Sequence, residues 1–99
     1  MKTVTGSMAT DRPARYAKQL ASHWSKRGPV TDEDGATVMR WESGQVIVLR
    51  PIDGALAVEV AVPDDVDLDR FAQVVKDHLE RFGQRDELDV VWTGADGQG

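Results

Sequence analysis

The chain holds two histidines and no cysteine, so metal, nucleophilic and proton-transfer chemistry have few places to stand. His23 and His78 share a context. Each lies five residues before a glycine, Gly28 or Gly83, and each precedes an apolar residue, Trp24 or Leu79. The wider windows, AKQLASHWSKRG and AQVVKDHLERFG, also match Ala17 with Ala72 and Leu20 with Val75. So few identities favour convergence of two amphipathic helices over an internal repeat. Each histidine is three residues past an apolar stripe position, about 60° round a helix from it and therefore on the stripe's margin. If two such helices run side by side in one direction, both imidazoles come to a common groove.

An imidazole pair of this kind can hold a metal, move a proton or contact a ligand. A metal asks for a third ligand, and none stands at characteristic spacing, so neither a metal site nor a cofactor is expected. The plainer account is two helix-flank histidines bonded to neighbours or water, and the pattern favours it. The candidate ligand-binding set is His23, Trp24, His78 and Arg81. Trp24, Trp41 and Trp92 would serve an aromatic pocket, though large apolar rings belong first to a core. The acidic stretch TDEDG lacks the downstream ligands of a calcium loop. Asp64, Asp65, Asp67 and Asp69 sit where a helix begins, where carboxylates are expected in any case. No serine has the setting of an activated nucleophile, and no glycine-rich phosphate loop follows a strand.

Two helices must position the histidines. In Asp67–Gly83 the apolar residues Leu68, Phe71, Val75, Leu79 and Phe82 recur at steps of three and four. Asp67 suits the N-cap, Arg81 and Arg85 the far end, and Gly83 a left-handed stop. Pro13–Arg27 repeats the pattern with Tyr16, Leu20 and Trp24, capped by Thr10 or Asp11 and ended by Gly28-Pro29. Met1–Thr10 reads as an edge strand and Val30–Gly35 as an acidic loop. Three strands in meander follow: Ala36–Trp41, Gln45–Arg50 and Ala55–Val62. Leu88–Thr93 is a last strand, and Gly94–Gly99 a loose, glycine-rich end.

The order β-α-β-β-β-α-β predicts an α+β fold, a two-layer sandwich with both helices on one face of an antiparallel sheet. The inward set is then Met39, Trp41, Ile47, Leu49, Leu56, Val58, Val60, Leu88, Val90 and Trp92. The other face would carry Val38, Val46, Val48, Ala57, Ala61 and Val91 among Arg40, Arg50, Glu59, Asp89 and Thr93. That is apolar for a face left to water. Scattered surface valines explain it; so does a partner surface, most simply a homodimer.

Ninety-nine residues, 40% apolar and 29% charged, make one domain with a modest core. The net charge of −5 argues against a partner bound through its phosphates, so no nucleic acid is expected. No apolar run approaches a membrane span and no leader pattern opens the chain; with no cysteine, a cytoplasmic protein is the expectation.

Lys18, Gln19, Leu20, His23 and Trp24 form one motif. His78, Leu79, Arg81 and Phe82, followed by Glu87, Leu88 and Trp92, form a second. In that order and spacing, over about Ala14–Thr93, they resemble the domain of unknown function 2218 family of small bacterial proteins. The resemblance implies a compact two-layer fold similar to the TATA-binding-protein-like arrangement. Through the family's association with siderophore-interacting flavoproteins it also implies a link to iron handling. It brings no catalytic residues. The expected function is therefore a small domain binding a ligand or protein partner. The alternatives are an enzyme using the His23/His78 pair for proton transfer, or a structural homodimer.

Overall fold

The computed structural model describes residues 1–84 and 88–96. The elements in order are β1 (Lys2–Ala9), α1 (Pro13–His23), a 3-10 turn at Ser25–Arg27, β2 (Val30–Glu33), β3 (Ala36–Arg40), β4 (Val46–Ile52), β5 (Ala55–Val62), α2 (Leu68–Phe82) and β6 (Val90–Asp96). The strands form one antiparallel sheet, ordered β2-β3-β4-β5-β1-β6. The fold is α+β, with both helices packed on the same face of that sheet.

The core follows from the two periodicities. Strand positions Val4, Met8, Met39, Ile47, Leu49, Leu56, Val58, Val60, Val62 and Val90 are buried at every second residue of their strands. Tyr16, Ala17 and Leu20 of α1 and Leu68, Phe71, Ala72, Val75 and Leu79 of α2 meet them. Trp41, Leu88 and Trp92, also expected inward, are packed against this cluster but half-exposed.

Several expectations change. β1 is not an edge strand: it pairs with β5 on one side and β6 on the other. Thr3, Thr5 and Ser7 on its outer face made it look marginal, while Val4 and Met8 inside hold it central. The acidic stretch after Pro29 contains a strand, β2, turned back into β3 through Asp34 and Gly35, both at positive φ. An Asp-Gly pair suits that hairpin turn. β2 was hidden because every residue of it is exposed, so it has no apolar alternation.

α1 stops four residues earlier than expected, at His23, and tightens into the 3-10 turn before Gly28. Its cap is Arg12, without a side-chain bond; Thr10 instead accepts from the Arg12 N–H, 3.1 Å away. Asp67 does cap α2, accepting from the Arg70 N–H at 3.1 Å. Gly83 ends α2 at φ −96°, outside the left-handed region. Its missing side chain makes room for Leu88, whose Cδ1 would lie 2.7 Å from a Cβ there. The last strand starts at Val90 and runs on to Asp96, so Gly94 is part of it. Arg85, Glu87 and residues 97–99 lie outside the described residues.

Candidate functional site

The C-terminal turns of α1 and α2 lie together and bring the two histidines into contact. Their ring centroids are 5.1 Å apart with planes tilted by 48°. The helices reach this point because each buries a stripe on the same sheet, and each histidine sits on its stripe's margin. His23 is exposed and His78 half-buried. His78 Nδ1 is 2.8 Å from the Val74 carbonyl, one turn earlier. A carbonyl only accepts, so this bond puts the proton on Nδ1 and leaves the lone pair of the neutral ring on Nε2.

The pair is the outer end of a row of rings. His23 meets Phe82 edge-on at 5.8 Å. His78 lies 4.7 Å from Trp24, whose exposure is only 6%. Trp24 contacts Trp41 edge-on at 5.2 Å, and Trp41 contacts Phe71 in the same way at 5.0 Å. The Arg27 guanidinium lies over the Trp41 ring, 5.3 Å from its centroid. Trp41 Nε1–H is buried with no hydrogen-bond acceptor among the described residues. The ring row therefore runs from solvent at His23 into the core at Phe71.

Of the four expected site residues, the fold assembles His23, Trp24 and His78. Trp24 stands behind His78 and does not present a face to solvent. Arg81 goes elsewhere: it lines an open groove of about 560 Å³ with Asp77, Glu80, Gln84, Leu88 and Asp89. Phe82 and Arg27 join the ring row from outside the expected set. Phe82 had a signal, since it stands four residues after His78 on one helix. Arg27 had none, because its ring partner is remote in the chain. No group of three or more metal-ligating side chains occurs among the described residues.

The strongest electrostatic feature lies away from the rings. Arg40 holds Glu33 through two bonds, of 2.6 and 3.0 Å, and Thr31 donates to the same carboxylate at 2.6 Å. These bonds pull the Glu33 pKa down to about 2. The arrangement ties β2 to β3 at the sheet's edge.

Comparison with known proteins agrees with the architecture. A family model described as "Uncharacterized protein conserved in bacteria (DUF2218)" matches residues 5–93, β1 included. The NMR structure of PA4090 from Pseudomonas aeruginosa is similar to this chain with a TM-score of 0.72 and 24% identity, over 94% of this chain and 96% of that one. At that identity the likeness concerns the fold. No curated protein matches the chain.

Proposed function

We propose, for a chain that belongs to the bacterial DUF2218 family, a binding role centred on the paired imidazoles of His23 and His78. The observation that carries it is the 5.1 Å contact of two histidines from different helices, open to solvent and backed by a buried indole. Two helices packed on one sheet hold the rings, so the surface is preorganised and little entropy is lost when it is occupied. It offers a flat edge at His23 and Phe82 and a hydrogen-bond acceptor at His78 Nε2. Such a surface fits a small aromatic molecule with a polar head. The iron and siderophore link implied by the family resemblance makes a ferric catecholate the first ligand of this kind to try.

Titration with benzoate and with a ferric catecholate tests the reading, followed by histidine-ring NMR and tryptophan fluorescence. One of the two should perturb His23, His78 and Phe82 together, and His23→Ala should weaken that binding tenfold or more. No perturbation at millimolar concentration would remove the proposal.

Proton transfer at the same pair is the enzymatic alternative. The fixed Nδ1–H of His78 supports it, and the exposure of His23 tells against it, since such chemistry gains from exclusion of water.

A second reading concerns the uncovered sheet face. Val46, Val48, Ala57 and Ala61 lie on it half-exposed, and Val91 is 58% exposed. No element of the described chain packs over these strands, and a second copy is the occupant that supports itself by symmetry.

A further inference from the structure

We infer that His23 and His78 together chelate a divalent d-block cation of the zinc, nickel or copper type, an inference that rests on the binding role given above to the same surface. Zinc–imidazole nitrogen distances are about 2.0–2.1 Å, and two rings on one tetrahedral ion then have centroids roughly 5 Å apart. The observed separation is 5.1 Å. Other ring pairs of the row stand at 4.7 to 5.2 Å, so the spacing is that of an ordinary ring contact and admits a shared ion without rearrangement of the helices.

The protonation pattern agrees. A ligating histidine usually donates its other ring N–H to a carbonyl or carboxylate, which fixes the tautomer. His78 already does so through Nδ1 and the Val74 carbonyl, leaving Nε2 as the donor atom. His23 makes no hydrogen bond among the described residues, and its exposed ring is free to turn either nitrogen toward the ion.

The backbone also favours a cation. His23 is the last residue of α1, and His78 and Phe82 belong to the final turns of α2. Each helix end carries partial negative charge, and here two such ends converge. Lys26 and Arg27, both exposed just past His23, work against a bare ion. Two imidazoles fill half of a tetrahedral shell. The other two positions are open to water or to anionic donors, and the neighbouring cations favour the anionic ones. Two nitrogen ligands select borderline metals over magnesium or calcium, which want oxygen.

The test uses the full chain, with zinc and copper as probes. Zinc should shift the ring signals of His23 and His78 together with 1:1 saturation, and magnesium should shift neither. Copper should quench Trp24, the indole beside His78. His23→Ala and His78→Gln should each weaken binding at least tenfold, and the double variant should be little worse than either, because the rings act as one chelate. Circular dichroism and thermal unfolding show that each variant is folded; His23→Ala removes only an exposed ring. Binding as tight in His23→Ala as in the native chain overturns the inference, as does zinc at millimolar concentration moving only one ring. If zinc moves neither ring while benzoate or the catecholate still does, the chelate is wrong and the binding surface stands. If zinc moves both and neither organic probe does, the chelate stands and the aromatic-ligand reading falls.

Discussion

Glu33 shows how much one side chain can be changed by two neighbours. Its carboxylate sits on an exposed strand yet has a pKa of about 2, chiefly through the hydrogen bonds from Arg40 and then Thr31. A carboxylate whose folded pKa is depressed stabilises the fold above its unfolded value, ordinarily near 4.3, and loses that contribution as pH falls toward the folded value. The window is therefore pH 4.3 down to about 2. NMR titration of the Glu33 side-chain carbonyl should give a midpoint near the lower end, and Arg40→Ala should raise it toward the ordinary carboxylate range, with the Thr31 bond still holding it below. A midpoint near 4 in the native chain would mean that the three-residue clasp does not persist in solution. The sequence did not disclose this clasp, because Thr31, Glu33 and Arg40 acquire a common location only once β2 is recognised as a strand. The histidine pair is the opposite case. Its two positions were legible from helical spacing alone, because helices bury stripes and a margin residue keeps its angle wherever the helix docks. What spacing could not supply was the distance between the helices, which depends on the side chains of the whole interface.

At the scale of elements, α2 does more than cover the sheet. Lys76 Nζ donates to the Val90 carbonyl at 2.7 Å, and Glu80 accepts from the Val90 N–H at 2.9 Å. Lys76 and Glu80 also pair with each other at 3.1 Å, one helical turn apart. Two side chains thus take the place of a neighbouring strand at the start of β6, the edge strand beside β1. An edge strand otherwise leaves such groups unpaired and open to other chains. Glu80→Ala should cost about 1–3 kcal/mol in urea unfolding, since it strands a partly buried donor. With Lys76→Ala the loss should be less than additive, as expected for members of one network. A loss within 0.5 kcal/mol, the range of an ordinary surface change, would show that water replaces the carboxylate without penalty. The same elements mark where pattern reading succeeds and fails. α2 and β5 were legible because their apolar residues repeat with a clean period. β2 buries no apolar residue, and β1 has its apolar residues interrupted by Gly6, so the first carries the pattern of a loop and the second that of an edge. The Asp34-Gly35 pair was the one signal for β2, and it is turn chemistry rather than hydrophobic pattern.

The whole molecule has two unlike surfaces, one sheet face under the helices and the other uncovered. The uncovered face is less open than its composition suggests. Val38 is only 4% exposed there, beside Arg40, whose head is held by Glu33, and near Arg50, whose head reaches the Asp34 carbonyl. Fixed guanidinium arms thus take the β2–β3 side out of the apolar surface and leave Val46, Val48, Ala57, Ala61 and Val91 toward the other side. Glu59 stands opposite Val48 across β4 and β5, and Arg50 opposite Ala57. A two-fold axis near Val48 would lay the apolar patch of one copy on that of the other. Its size limits the affinity. Five gaps of about 4.8 Å make the six-stranded sheet roughly 24 Å across. With strands of this length the projected face is nearer ~500 Å² than the ~800 Å² per partner of a standard interface. The expected dimer is accordingly weak, formed at tens of micromolar and above. Sedimentation velocity over a concentration series should show it. Val48→Lys should abolish it without unfolding the chain, because Val48 is only half-buried and the new ammonium lies opposite Glu59. A native chain that stays monomeric at several hundred micromolar, or a Val48→Lys variant that associates as the native chain does, would leave the valines as ordinary strand formers on a solvated face.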